Sequence, residues 1–268
     1  MRRSAHALAC VLFALVGCQR EEPPAAPAPQ AAAPDERCTL RVGWDPWEPY
    51  QFESADGSVR GLDVEIIRGL AGAAGCEARF VRGSWGALLD DVRAGRIDVL
   101  MAATPTPERE AYAWFSPPYR QESFALFTRA EDGEALAGMD LAELVRSGRR
   151  IGITEGYYYG EAATQLILGE DTAAAFVSAP LVELSYTRLV DGEIDALLDD
   201  PFVAAAVLRR KGWSDVVVRH PLEIHSGEVS MMYSKAGIQR ATVERLDAAL
   251  AARKTDGSLQ RLIERYRG

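Results

Sequence analysis

Val92 to Arg109 reads VRAGRIDVLMAATPTPER, and the fold turns on how this run is parsed. A helix closes at Arg93-Ala94-Gly95. Ile97 to Ala103 then forms an almost wholly apolar segment, as short as a strand and suited to a parallel sheet covered on both faces. Open α/β sheets place their ligands beyond the carboxyl ends of such strands, where the loop after Ala103 begins. Thr106 reads as an N-cap and Pro107 as the first helical residue, so Glu108, Arg109 and Glu110 occupy the first turn. A cation at the positive end of a helix dipole is mildly destabilising unless an anion shares the place. Arg109 is therefore a candidate carboxylate holder, against the plainer alternative of a surface residue offset by its acidic neighbours.

A second copy of the pattern favours the first alternative. LVDGEIDALLDDPF at 189–202 repeats helix, Gly192, Ile194-Asp195, apolar strand, polar loop and a proline opening another helix. Arg-Ile-Gly-Ile-Thr at 150–154 likewise echoes Leu-Arg-Val-Gly-Trp at 40–44. Two similar α/β halves, each ending a strand in polar residues, predict a cleft between two lobes.

The chain has 268 residues and a formal net charge of −9. Its length suits one two-lobed unit or two small domains. Arg2-Arg3 followed by apolar Ala5 to Val16 reads as a leader, too short to span a bilayer. Leu15-Val16-Gly17-Cys18 resembles a bacterial lipobox, which implies a signal peptide over 1–17 and lipid on the Cys18 sulfur; the alternative is a plain secretory leader. Residues 18–37 are rich in proline and alanine, as a tether would be. Removal of the leader takes away two arginines and no acid, so the charge becomes more negative, which argues against nucleic acid as a partner. No other stretch is long and apolar enough to span a bilayer, so the expected contact with a membrane is the N-terminal lipid alone.

Cys10 leaves with the leader. Cys38 and Cys76 each precede a predicted strand, Leu40 to Gly43 and Ala78 to Val81, which would be parallel neighbours in a doubly wound sheet. An oxidising compartment makes a disulfide between them reasonable, the alternative being two unrelated buried thiols.

The loop from Trp44 to Phe52 holds two prolines and four aromatics, which excludes a helix. Rings such as Trp47 and Tyr50 on a stiff loop at a strand end make a stacking wall; Phe52 is the first candidate to fold back into the core. Ser84 reads as a cap, and Trp85 as either a second wall or a core anchor. A strand from Ser123 to Thr128 crosses to the second lobe. Glu155-Gly156 leads into Tyr157, Tyr158 and Tyr159 before a helix from Glu161 to Leu168, offering ring faces, hydroxyls and free N–H groups to a solute. Asp200 before Pro201 reads equally as an N-cap and as a carboxylate for a ligand cation. Val216 to Arg219 and Val229 to Tyr233 read as strands around a polar stretch, and the tail from Thr242 to Tyr266 as helix broken near Gly257.

These residues together resemble the bacterial family 3 extracellular solute-binding proteins, the polar amino-acid receptors of ABC importers. The matching pieces are Gly43 with Asp45-Pro46 and Pro49-Tyr50, Gly61-Leu62-Asp63-Val64, Trp85, Gly95-Arg96-Ile97-Asp98 and Thr106-Pro107-Glu108-Arg109. Phe115-Ser116-Pro117-Pro118-Tyr119, Gly192-Glu193-Ile194-Asp195-Ala196 and Asp256-Gly257-Ser258-Leu259 complete them. The resemblance implies the type II periplasmic binding fold: two α/β lobes, each a mostly parallel sheet flanked by helices, with lobe 1 at 38–127 plus 221–268 and lobe 2 at 128–220. It implies that Arg109 takes an α-carboxylate and Asp200 the ammonium, that Thr104 and the Ala102 carbonyl add polar contacts, and that Asp45, Trp47 and Trp85 line the side-chain pocket. Hinges fall at Leu126 to Arg129 and Arg219 to Leu222. Tyr157-Tyr158 stand where amino-acid receptors often carry a small hydroxyl residue.

The expected function is capture of a small carboxylate-bearing solute, an amino acid or related zwitterion, for an ABC permease. The expected protein is a monomer with no cofactor and no metal, at the periplasm or outer cell surface. An aromatic cleft also suits a quaternary ammonium. A dehydratase-like enzyme is the rival class, although no Ser-His-Asp pattern is present, and His220 and His225 are wrongly spaced for one helix face. A sensory or accessory receptor without its own importer is the third.

Overall fold

The computed structural model of the protein describes residues 38–267. The expected leader at 1–17, the lipidation site Cys18 and the tether at 18–37 lie outside the described residues. Eleven strands occur among those described: β1 (Cys38–Trp44), β2 (Phe52–Glu53), β3 (Val59–Arg60), β4 (Cys76–Arg82), β5 (Val99–Ala103), β6 (Ala113–Phe115), β7 (Arg120–Arg129), β8 (Ile151–Thr154), β9 (Phe176–Ala179), β10 (Ala196–Asp199) and β11 (Val217–Ser234). Hydrogen bonding orders them β4-β1-β5-β11-β7-β10-β8-β9, with β6 also on β11 and β2-β3 a separate hairpin.

Each half of this path has a parallel group. β1 runs parallel to β4 and β5, and β8 runs parallel to β9 and β10. The antiparallel pairs β5-β11, β7-β11 and β7-β10 join the two groups. β5, β8 and β10 are buried along their whole length, which is why they read as continuous apolar runs. Helices Leu62–Ala73, Arg240–Thr255 and Ser258–Arg267 pack together beside the first group, and Val182–Val190 packs on the second.

The repeat seen in the sequence has a structural cause. Asp98 Oδ2 accepts from the Arg41 main-chain N–H at 2.7 Å, and Arg41 Nη2 donates to the Gly95 carbonyl at 2.7 Å. In the other half Asp195 Oδ2 accepts from the Arg150 N–H at 2.8 Å, and Arg150 Nη2 donates to the Gly192 carbonyl at 2.8 Å. The same Gly-x-Ile-Asp turn thus pins the entrance of β5 to β1, and that of β10 to β8. Gly95 and Gly192 sit at φ 73° and 75°, which glycine adopts without a Cβ clash.

Cys38 and Cys76 stand opposite each other in the β1-β4 register and are joined by a disulfide of 2.07 Å. Three expectations need correction. Phe52 is only half-buried in the β2-β3 hairpin, while Trp44, Trp47 and Tyr50 supply the buried rings of that loop. The two strands expected around 216–233 are one strand, β11, because antiparallel pairing with β7 continues through register shifts at Arg219/Glu223 and His225/Gly227. Ser84 holds the N-cap position of helix Trp85–Arg93, but its side chain makes no capping bond.

Candidate functional site

The loop after β5 places Arg109. Ala102, at the end of that strand, has φ 54°, a left-handed conformation that costs an L residue energy and is held where a site needs a particular chain path. Its N–H donates to the Tyr119 hydroxyl at 3.0 Å. Thr106 Oγ1 accepts from the Arg109 N–H at 3.3 Å, and Pro107 opens a helix of a single turn, Pro107–Glu110. Arg109 is buried (7% exposed), and its guanidinium bonds only to main-chain carbonyls: Nη1 to Thr104 at 2.9 Å and Nη2 to Gly156 at 2.7 Å. Among the described residues no carboxylate lies within ion-pair distance of it. Burial pulls its pKa down, opposed chiefly by Tyr112 and Glu122.

Gly156 comes from the other half of the sheet, on the loop after β8. Its φ is 75°, and a Cβ there would stand 3.2 Å from both Leu89 Cδ1 and Trp85 Cδ1, so the position requires glycine. The same carbonyl accepts a second bond, from Trp85 Nε1 at 3.1 Å. Tyr157 follows and is half-buried. Its ring lies 5.9 Å from Trp47, 5.8 Å from Trp85 and 6.3 Å from Phe124. Its hydroxyl donates to Asp45 Oδ2 at 3.1 Å.

Asp45 is 2% exposed and also accepts from Gln51 Nε2, at 2.8 Å. Burial drives its pKa up to about 6, against the stabilising hydroxyl of Tyr157. Eight expected residues, Asp45, Trp47, Trp85, Ala102, Thr104, Arg109, Tyr157 and Tyr158, line one cavity. Gln51, Glu122 and Phe124 complete its lining and were missed in the sequence. Glu122 and Phe124 did leave a signal: Arg120, Glu122 and Phe124 alternate along β7, all buried, between exposed Gln121 and Ser123. Trp85 is both wall and core, since it also packs with Leu88 and Val92.

Tyr50 and Asp200 do not join this lining. Both face a second cavity of about 220 Å³ that includes Arg120 and Phe202. The reason is local. Asp200 Oδ1 caps helix Pro201–Lys211, accepting from Phe202 N at 2.8 Å and Val203 N at 3.3 Å, and Oδ2 accepts from the Tyr50 hydroxyl at 3.2 Å. Both carboxylate oxygens are engaged, and the capping role accounts for the residue. Burial raises the Asp200 pKa, with Arg120 opposing. Its neighbour Asp199 is held well above the carboxylate range by burial and by the charge of Asp200, and accepts from Tyr186 at 2.8 Å.

A buried arginine and a buried carboxylate thus line one ring-walled cavity whose residues come from both α/β groups. Residues 40–268 match the bacterial extracellular solute-binding proteins, family 3. The chain belongs to this family. It is 28% identical over 236 residues to the L-cystine-binding protein TcyJ of Escherichia coli (strain K12), covering 87% of this chain and 84% of that protein. A probable histidine-binding protein of Campylobacter jejuni is 26% identical over 235 residues, covering 85% and 84%. Among solved structures, an ancestral arginine-binding protein bound to arginine superposes with a TM-score of 0.70 at 23% identity, covering 87% of this chain and 99% of that one. That likeness establishes the two-lobed periplasmic binding fold expected from the sequence. The named relatives are binding proteins, and the family to which this chain belongs is one of solute-binding proteins.

Proposed function

We propose that this protein captures an amino acid or related zwitterion in the Arg109 cleft, outside the cytoplasm, and delivers it to an ABC permease. The observation that carries the reading is Arg109: a buried guanidinium, in a ring-lined cavity, whose partners are neutral carbonyls rather than a carboxylate. A carboxylate ligand would make charge-assisted, bidentate bonds there that a peptide carbonyl cannot match. Another lining residue, Gln51, has a polar side-chain atom, Oε1, buried without a hydrogen-bond partner. The names of the relatives, which bind cystine and histidine, support an amino acid. The reading keeps the lobes at 38–127 plus 221–268 and 128–220, lipid on Cys18 as the anchor, and a monomer. Asp200 lies outside this cavity, and within it the ammonium is assigned to Asp45, whose bond from Tyr157 a bound solute would replace. A sensory or accessory role would use the same cleft and differ only in the partner.

The test is isothermal titration of the purified protein with the twenty L-amino acids, alongside Arg109→Gln. At least one amino acid binds the natural protein, and the variant loses about a hundredfold in affinity or more, as expected for a charge-assisted pair worth roughly 3 kcal/mol, while a cooperative melting transition shows that it still folds. Equal affinity in the two proteins would sink the carboxylate assignment.

A further inference from the structure

The dipeptide Gly156-Tyr157 gives the cleft what a solute would give it. Its carbonyl engages Arg109 Nη2 and Trp85 Nε1, the two N–H donors that the other half of the sheet aims at it. Its ring stands among Trp47, Trp85 and Phe124, and its hydroxyl satisfies Asp45. With this segment in place the cavity measures about 20 Å³, enough for a single water and far below the several hundred cubic ångströms that enclose a small ligand. An amino acid cannot share this space with Tyr157.

On the reading of the Arg109 cleft as the solute site, we propose that Gly156-Tyr157 is an intramolecular latch that holds the solute's place, so that a solute binds only by exchanging with it. The exchange sets specificity as well as affinity. A solute that displaces the latch must return an acceptor to Arg109 and Trp85, which a carboxylate does. It must also return a donor to Asp45, which would otherwise lose the Tyr157 bond while staying buried. The ammonium already assigned to Asp45 supplies that donor, so the class that fits is a zwitterion that carries a carboxylate and an ammonium together. The latch lowers apparent affinity by the fraction of molecules it holds shut, and loosening it recovers that factor.

The position before Tyr157 must remain glycine, so the test is made at Tyr157 itself, with Tyr157→Thr and Tyr157→Phe. Small-angle scattering on exhaustively dialysed protein reads opening, and calorimetry with the twenty L-amino acids reads affinity. The latch predicts a larger radius of gyration for Tyr157→Thr than for the natural protein, collapsing on addition of the preferred amino acid. It also predicts an affinity gain of about tenfold or more, with Tyr157→Phe between the two because it keeps the ring and loses the bond to Asp45. The same radius of gyration and the same affinity in all three proteins would overturn the latch. If Tyr157→Thr does not fold, Tyr157→Phe decides alone: a gain in affinity supports the latch and an unchanged affinity overturns it. If no amino acid binds any of the three, the amino-acid reading falls, and scattering still decides the latch.

Discussion

Replacing Asp45 with asparagine removes the one acidic proton in the cleft whose position on the pH scale is given by its surroundings as about 6, against an ordinary 3.8. The native chain therefore keeps this proton up to about pH 6, while the unfolded chain releases it near 3.8. Between those values the native state binds more protons than the unfolded one, so this group's contribution to stability falls as pH rises. It is fully present below about pH 4 and gone above about pH 6, a change of roughly 3 kcal/mol for a shift of about two units. Asparagine keeps an acceptor for Gln51 and a polar partner for the Tyr157 hydroxyl, so packing is preserved while titration is abolished. The assay is thermal melting of both proteins from pH 3.5 to 7.5. Asp199 and Asp200 titrate in both and cancel in the difference. The natural protein should lose stability relative to Asp45→Asn as pH rises, by about 6 to 12 °C in melting temperature at this chain length. A difference that stays constant across the range would refute the buried, raised carboxyl.

Two further outcomes test the frame around the cleft. Arg120 donates to Asp63 through Nε at 3.1 Å and Nη2 at 2.9 Å, with side chains 3% and 0% exposed, so Arg120→Ala should cost about 3–5 kcal/mol in urea unfolding by stranding a buried carboxylate; a loss below about 1 kcal/mol would contradict that. The Cys38–Cys76 bond spans 38 positions, and replacing both with serine should lower stability by up to about 4 kcal/mol, readable as the same loss when the natural protein is melted in reductant.

Much of the fold was legible in the sequence because its determinants are short-range. Thr106 and Pro107 announced their helix, since capping and proline's fixed φ act within one turn. The Gly-x-Ile-Asp repeat announced two equivalent halves, since each aspartate reaches back to an arginine at the start of a neighbouring strand. The sequence points Phe52 to the core and the structure leaves it half-buried, because burial of a loop aromatic depends on which neighbours arrive from elsewhere. The sequence splits 216–233 into two strands and the structure makes it one, because β11 keeps pairing with β7 through irregular registers, which no local period records.

The site divides along the same line. The sequence by itself determined that Arg109 stands at the head of a helix behind a buried strand, that Asp200 precedes a helix-opening proline, and that aromatics crowd the loops at the strand ends. Only the tertiary structure decided what those groups face. Arg109 meets the Gly156 carbonyl 47 positions away, Tyr157 meets Asp45 112 positions away, and Tyr50 meets Asp200 150 positions away. Which oxygen is free and which is already spent follows from these long-range meetings, because a buried polar group takes whatever partner the packing delivers, and spacing along the chain does not encode that choice.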